Sequence, residues 1–172
     1  MFKVDDIILY GTEGVCRIKE ITSKKFGDYV NDYYVLEPVY GIHSILYVPI
    51  KNKKLTSRMR HVLSVDKVYE LIKAMEDVDD VWIENEKLRQ SKYKEIISQG
   101  DYDEIIKIIK SLYSHKQNQI ALGRKFHKAD EDLLNFAQTL LHNEFAHVLK
   151  IEPEEVLPFI LEEMKITSKN KM

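Results

Sequence analysis

Cysteine is nearly absent from this chain: Cys16 stands alone among 172 residues. No internal disulfide can form, and no cysteine cluster can hold a metal. A reducing cytoplasm is the expected setting. Long apolar runs are missing as well. None approaches the roughly 20 residues that span a bilayer. The opening Met1-Phe2-Lys3-Val4-Asp5-Asp6 lacks the apolar core of a signal peptide. The signatures of catalysis are absent too: no phosphate-binding loop, no dinucleotide glycine fingerprint and no nucleophile elbow. His142 and His147 superficially suggest a zinc-protease helix, but residues at i and i+5 lie about 140° apart around a helix axis. Paired zinc ligands need i and i+4. Asp77-Val78-Asp79-Asp80 lacks the spaced ligands and closing glutamate of a calcium loop. The expectation is a protein that is not an enzyme and carries no cofactor or metal.

Charge of one sign is also lacking overall. The formal net charge is −2, which argues against indiscriminate binding of nucleic acid. The average hides segregation. Residues 51–60 hold Lys51, Lys53, Lys54, Arg58 and Arg60 with no acid. Residues 87–128 hold ten Lys or Arg against four acids, and the segments 76–86 and 152–163 are acidic. Such a chain can present a basic face while staying near neutrality.

What is present changes character near residue 60. Before it, short apolar runs alternate with turn residues. Ile7-Ile8-Leu9-Tyr10 is followed by Gly11 and Gly14, then by Val15 to Ile21, where apolar and polar residues mostly alternate. Lys24 to Asp32 reads as a hairpin loop around Gly27. Tyr33 to Pro38 and Ser44 to Pro49 read as strands, and Arg60 to Leu63 as a last short one. Four or five short strands in about 60 residues suggest a small closed barrel, which removes exposed edges.

After it, helical periodicity takes over. Val65, Val68, Tyr69, Leu71, Ile72 and Met75 form one stripe. A second helix is expected from near Glu84 to Ser98, ended by Gly100, and a third is capped by Asp101 with Glu104 in support. Residues 114–128 read as a polar, basic loop. Leu133 to Phe145 form a long amphipathic helix, and Pro153 opens a final one that Pro158 should kink or shorten. The expected fold class is α+β, with a β domain over about 1–55, a helical domain over about 60–167 and a frayed tail at 168–172.

The β half carries residues that resemble the CarD family of bacterial transcription regulators. These are Met1 to Tyr10 with the Gly14-Val15 turn, Tyr33-Tyr34-Val35-Leu36, and Tyr47-Val48-Pro49. The same module occurs as the polymerase-interacting domain of the transcription-repair coupling factor. The helical half is also similar, with one tryptophan near its start and a Gly100-Asp101 step before an Asp, Glu and Lys-patterned helix. The resemblance implies a Tudor-like barrel that docks on the β subunit of RNA polymerase through a strand edge. Lys24, Tyr47, Lys51 and Lys53 are then the docking candidates. It also implies a helical domain that contacts upstream promoter DNA with weak sequence specificity and stabilises the open complex. There a tryptophan wedges into the minor groove beside phosphate-holding cations. Trp82 is the candidate wedge, with Lys87, Arg89, Lys92, Lys94, Arg124 and Lys125 as DNA contacts. Where the family often has Pro and His in the first turn, this chain has Gly11, Thr12 and Glu13. From the residues alone, Trp82 also admits an ordinary packing role, since Asp79, Asp80, Glu84 and Glu86 flank it. A protein–protein adaptor that never touches DNA is the alternative function.

Overall fold

The structure is a computed structural model that describes residues 1–41 and 44–170. The chain divides into two units, residues 1–63 and 64–172. The boundary falls later than residue 55 because the last strand, at 59–61, still pairs within the β unit.

The first unit is a five-stranded antiparallel sheet in the order β4-β3-β2-β1-β5. Its strands are β1 (Ile7–Tyr10), β2 (Val15–Phe26), β3 (Tyr29–Pro38), β4 (Leu46–Pro49) and β5 (Met59–His61). One short helix, α1 (Lys53–Thr56), lies between β4 and β5 and is capped by the Asn52 side chain, which accepts from the Leu55 N–H. Alternation places Ile8, Cys16, Ile18, Tyr34, Leu36 and Val48 in one buried core. Gly14 ends the first turn at φ 78°, ψ −148°, a conformation open essentially only to glycine. There its carbonyl accepts the Tyr10 N–H at 2.9 Å.

Two expectations fail in this unit. The sheet is open rather than closed: among the described residues, β4 pairs only with β3 and β5 only with β1. The outer strands, of four and three residues, stand at opposite ends of the strand order and form no ladder with each other. The second concerns the hairpin. Residues 24–26 and 29–32 are strand, and the loop is only Gly27-Asp28. Gly27 sits at φ +61°, as the first position of a two-residue type II′ loop requires.

The second unit holds α2 (Val65–Ala74), α3 (Glu86–Gln99), α4 (Tyr102–Ala121), α5 (Lys128–Leu149) and α6 (Pro153–Asn170). Ser64, Asn85 and Asp101 each cap a following helix with a side-chain oxygen, and Gly100 closes α3 in the left-handed conformation. α5 packs against α2, α3, α4 and α6, so its buried Leu133, Ala137, Leu141 and Phe145 serve as the common wall of this core. Residues 114–121, expected as loop, continue α4. No helix breaker occurs before Gly123, and Lys116 reaches Glu131 of α5 at 2.9 Å. α6 is not shortened by Pro158. Of the expected frayed tail, residues 168–170 belong to α6 and residues 171–172 lie outside the described residues. No helix among the described residues is long and apolar enough to cross a membrane.

Burial pushes the Cys16 thiol up to about 12, with the Glu13 carboxylate adding to the shift. The thiolate is the reactive form. Native protein at pH 8 is expected to react with a disulfide reagent at least about 100-fold more slowly than urea-unfolded protein. Equal rates would show that Cys16 is not enclosed.

Candidate functional site

The sheet brings two of the four docking candidates together. Lys24 lies on β2 and Tyr47 on β4, with β3 between them. The register Thr22 to Tyr33, Tyr33 to Pro49 and Val35 to Tyr47 puts all of these on the face opposite the core. There the Lys24 Nζ stands 3.6 Å above the centre of the Tyr47 ring. Tyr33 meets the same ring edge-on at 6.2 Å. A cation held on an exposed ring this way contributes about 0.5–1 kcal/mol. Tyr47 keeps 46% of its surface exposed, so the pair remains available to a partner. Lys51 and Lys53 follow β4 into α1 and are exposed.

The free side of β4 is narrow. Ile50 donates to the Asp32 carbonyl at 2.9 Å, which marks Ile50 and Asp32 as a hydrogen-bonded pair of the β3–β4 ladder. By alternation Val48 and Leu46 turn their backbone groups to β3, while Tyr47 and Pro49 turn theirs outward. Pro49 has no N–H, and its carbonyl already accepts Asn52 N–H at 3.0 Å. Within β4, Tyr47 therefore presents the backbone donor and acceptor that a further strand can use.

In the helical unit, the segment before α3 is tied down at nearly every peptide. The Lys110 ammonium donates to the carbonyls of Glu76 and Val78 at 2.9 and 2.8 Å. The Ser111 hydroxyl accepts from Val81 N–H at 2.7 Å and donates to the Asp80 carboxylate. The Tyr93 hydroxyl donates to the Val81 carbonyl at 2.8 Å. Burial pushes that phenol up to about 12, against the opposing pull of Arg89, so it remains a donor at any physiological pH.

This strap carries Trp82. The His115 imidazole stacks on the indole with centres 3.7 Å apart and planes 13° from parallel. The Arg89 guanidinium carbon lies 4.1 Å from the ring centre. Two groups that close to one ring would collide on a single face, so each takes its own. Trp82 Nε1 is buried without a hydrogen-bond partner. Beside this stack, Arg89, His115, Gln119, Lys125, Phe126, His127 and Asp130 line a cleft of about 210 Å³.

Arg89 is the one DNA candidate that the fold removes from the surface. It is 4% exposed. Its guanidinium pairs with Asp130 through two bonds of 3.0 and 2.6 Å and donates to the carbonyls of Ile83 and Glu84 at 2.6 and 3.3 Å. So engaged, it is a structural group and not a phosphate clamp. Lys87 and Lys94 stand exposed two turns apart on one face of α3. Lys92 points away from that face and pairs with Glu95 at 3.8 Å. Arg124 and Lys125 are exposed in the turn after α4. The sequence offered no sign of His115 or Asp130. Both depend on the α4 extension and on the α3–α5 approach, which no local pattern encodes.

Removing one member of a buried ion pair leaves an uncompensated charge. Asp130→Ala is expected to destabilise the helical unit by about 3–5 kcal/mol, whereas the double variant Arg89→Met with Asp130→Leu loses far less. Urea midpoints of the three proteins check this, and equal losses in single and double variants would contradict it.

Residues 2–63 match the family model of the CarD-like/TRCF RID domain. No curated protein matches the chain. A domain of this family suggests interaction with RNA polymerase in a transcription-related protein. The match coincides with the whole β unit, from the Phe2 ring against Tyr34 and His61 to the end of β5. The N-terminal unit of this chain belongs to the CarD-like/TRCF RID domain family, and the CarD-like assignment of the chain rests on that unit.

Proposed function

We propose that this protein is a bacterial transcription regulator without catalytic activity or cofactor, acting in the cytoplasm. Its N-terminal unit docks, as an open Tudor-like module, on the β subunit of RNA polymerase. The helical unit contacts upstream promoter DNA with weak sequence specificity and modulates open-complex stability. The observation that carries the reading is the Lys24–Tyr47 stack on a strand with a free edge, inside a CarD-like/TRCF RID domain. Strand addition at such an edge uses backbone bonds for affinity and neighbouring side chains for specificity. Exposed Lys51 and Lys53 add charge next to that strand.

For DNA, what supports the reading is the exposed Lys87, Lys94, Arg124 and Lys125 of the same unit as Trp82. A second reading, an adaptor that binds polymerase or another protein without DNA, is favoured by the occupied faces of Trp82 and the acids around it.

Three measurements test this. Full-length Tyr47→Glu should lose about 30-fold or more in capture by the polymerase β subunit, the loss expected of a central tyrosine anchor, with an unchanged melting temperature. Capture at the wild-type level would remove the β4 edge as the docking site. With polymerase present, Trp82→Ala should shorten the lifetime of promoter open complexes. Binding to a forked promoter fragment should fall steeply between 50 and 200 mM salt, on the order of tenfold or more for a few phosphate contacts. DNA binding absent at every salt concentration would select the adaptor.

A further inference from the structure

We propose that His115 is a placeholder for an unpaired nucleobase on the face of Trp82. The inference rests on the DNA-contacting reading and names the group that must leave for it to operate. A base that stacks on the indole needs one of its two faces. The Arg89 face is closed to exchange, because that guanidinium is held by the Asp130 carboxylate and by the Ile83 and Glu84 carbonyls. The His115 face is not. Among the described residues, the polar contact recorded for the imidazole is a single one to the Gln119 amide at 3.3 Å.

Its geometry is that of a stacked base. A flat heteroaromatic ring lies 3.7 Å from the indole, nearly parallel to it, as base–aromatic stacking on a protein platform does. The displaced ring also has somewhere to go. The cleft of about 210 Å³ borders His115, several times the roughly 30 Å³ of a water molecule and more than an imidazole requires. Across it the Phe126 ring centre is 6.3 Å from that of His115, tilted by 50°, ready to receive the imidazole edge-on. Lys125 lines the same cleft, where its ammonium can meet the phosphate of the incoming nucleotide. The strap adds the other condition. Lys110, Ser111 and Tyr93 fix the backbone before Trp82 and Arg89 holds the carbonyls after it, while the indole N–H makes no bond that must break. The ring exchanges its neighbour without moving its own backbone.

The test uses full-length protein with RNA polymerase and a labelled forked promoter fragment carrying unpaired bases at the fork. Affinity is read by anisotropy with polymerase present, and stacking by the emission of Trp82, the single tryptophan of the chain, in a parallel low-salt titration of the protein with the fragment alone. Removing the placeholder with His115→Ala should tighten binding about two- to tenfold, the factor that one aromatic pair carries. His115→Phe, which keeps the face covered with a more strongly stacking ring, should weaken binding and blunt the emission change. A folded His115→Ala that binds no better than wild type, while Trp82→Ala loses binding, overturns the placeholder and leaves the DNA-contacting role of Trp82 standing. Should His115→Ala fail to fold, His115→Phe decides alone, and binding as tight as wild type overturns the proposal. Wild-type binding by Trp82→Ala overturns the underlying reading and the placeholder with it.

Discussion

The helical unit depends on one buried contact, the paired charges of Arg89 and Asp130. Each would be intolerable alone in an apolar interior, and together they are compensated only at one separation and one angle. The Asp130 carboxylate also accepts from the Gln90 amide at 2.6 Å, and the Arg89 guanidinium reaches back to two carbonyls of the segment before α3. A single pair therefore joins α3 to the start of α5 and fixes the strap that precedes α3. The position of Trp82 follows from this, since its neighbour on one side is that same guanidinium. Whatever Trp82 does, it does beside a cation that is held in place.

The two units manage charge differently. In the sheet, ion pairs are on the surface: Arg17 meets Glu37 at 2.8 Å and Asp5 at 3.7 Å, in water, where such pairs contribute little. There the organising contact is the apolar core of Ile8, Ile18, Leu36 and Val48, and cations such as Lys24 serve the outer face. The helical unit has surface pairs as well, such as Lys107–Glu104 and Lys128–Asp132, but there the buried Arg89–Asp130 pair is architectural.

Much of this was legible in the sequence, and the reasons differ by element. The glycine of the first turn and the alternation after it announced β1 and β2. The caps at Asp101 and Gly100 are local chemistry, so they could be read locally. A family resemblance points to Lys24 and Tyr47, but their contact across β3 follows from register, which the sequence does not state. Strand number suggests a barrel, but closure needs a ladder between β4 and β5, and whether two edges meet depends on how the sheet curves, which strand count does not state. Residues 114–121 looked like loop because their apolar positions are sparse. The helix continues there because Lys116 and His115 find partners on α5 and at Trp82, and such long-range compensation is invisible to periodicity. Arg89 looks like its basic neighbours in the sequence, because a buried arginine and a solvated one leave the same local pattern.

An open sheet ordinarily invites its own copies to add on, strand after strand, until fibrils form. Here β4 offers one residue's pair of backbone groups, at Tyr47, beside Pro49, which has no N–H and whose carbonyl is already taken by Asn52. On β4, so little edge is a poor template for a growing stack. It suits a reversible junction, in which backbone bonding only sets the direction of approach and the surrounding rings and ammonium groups choose the mate.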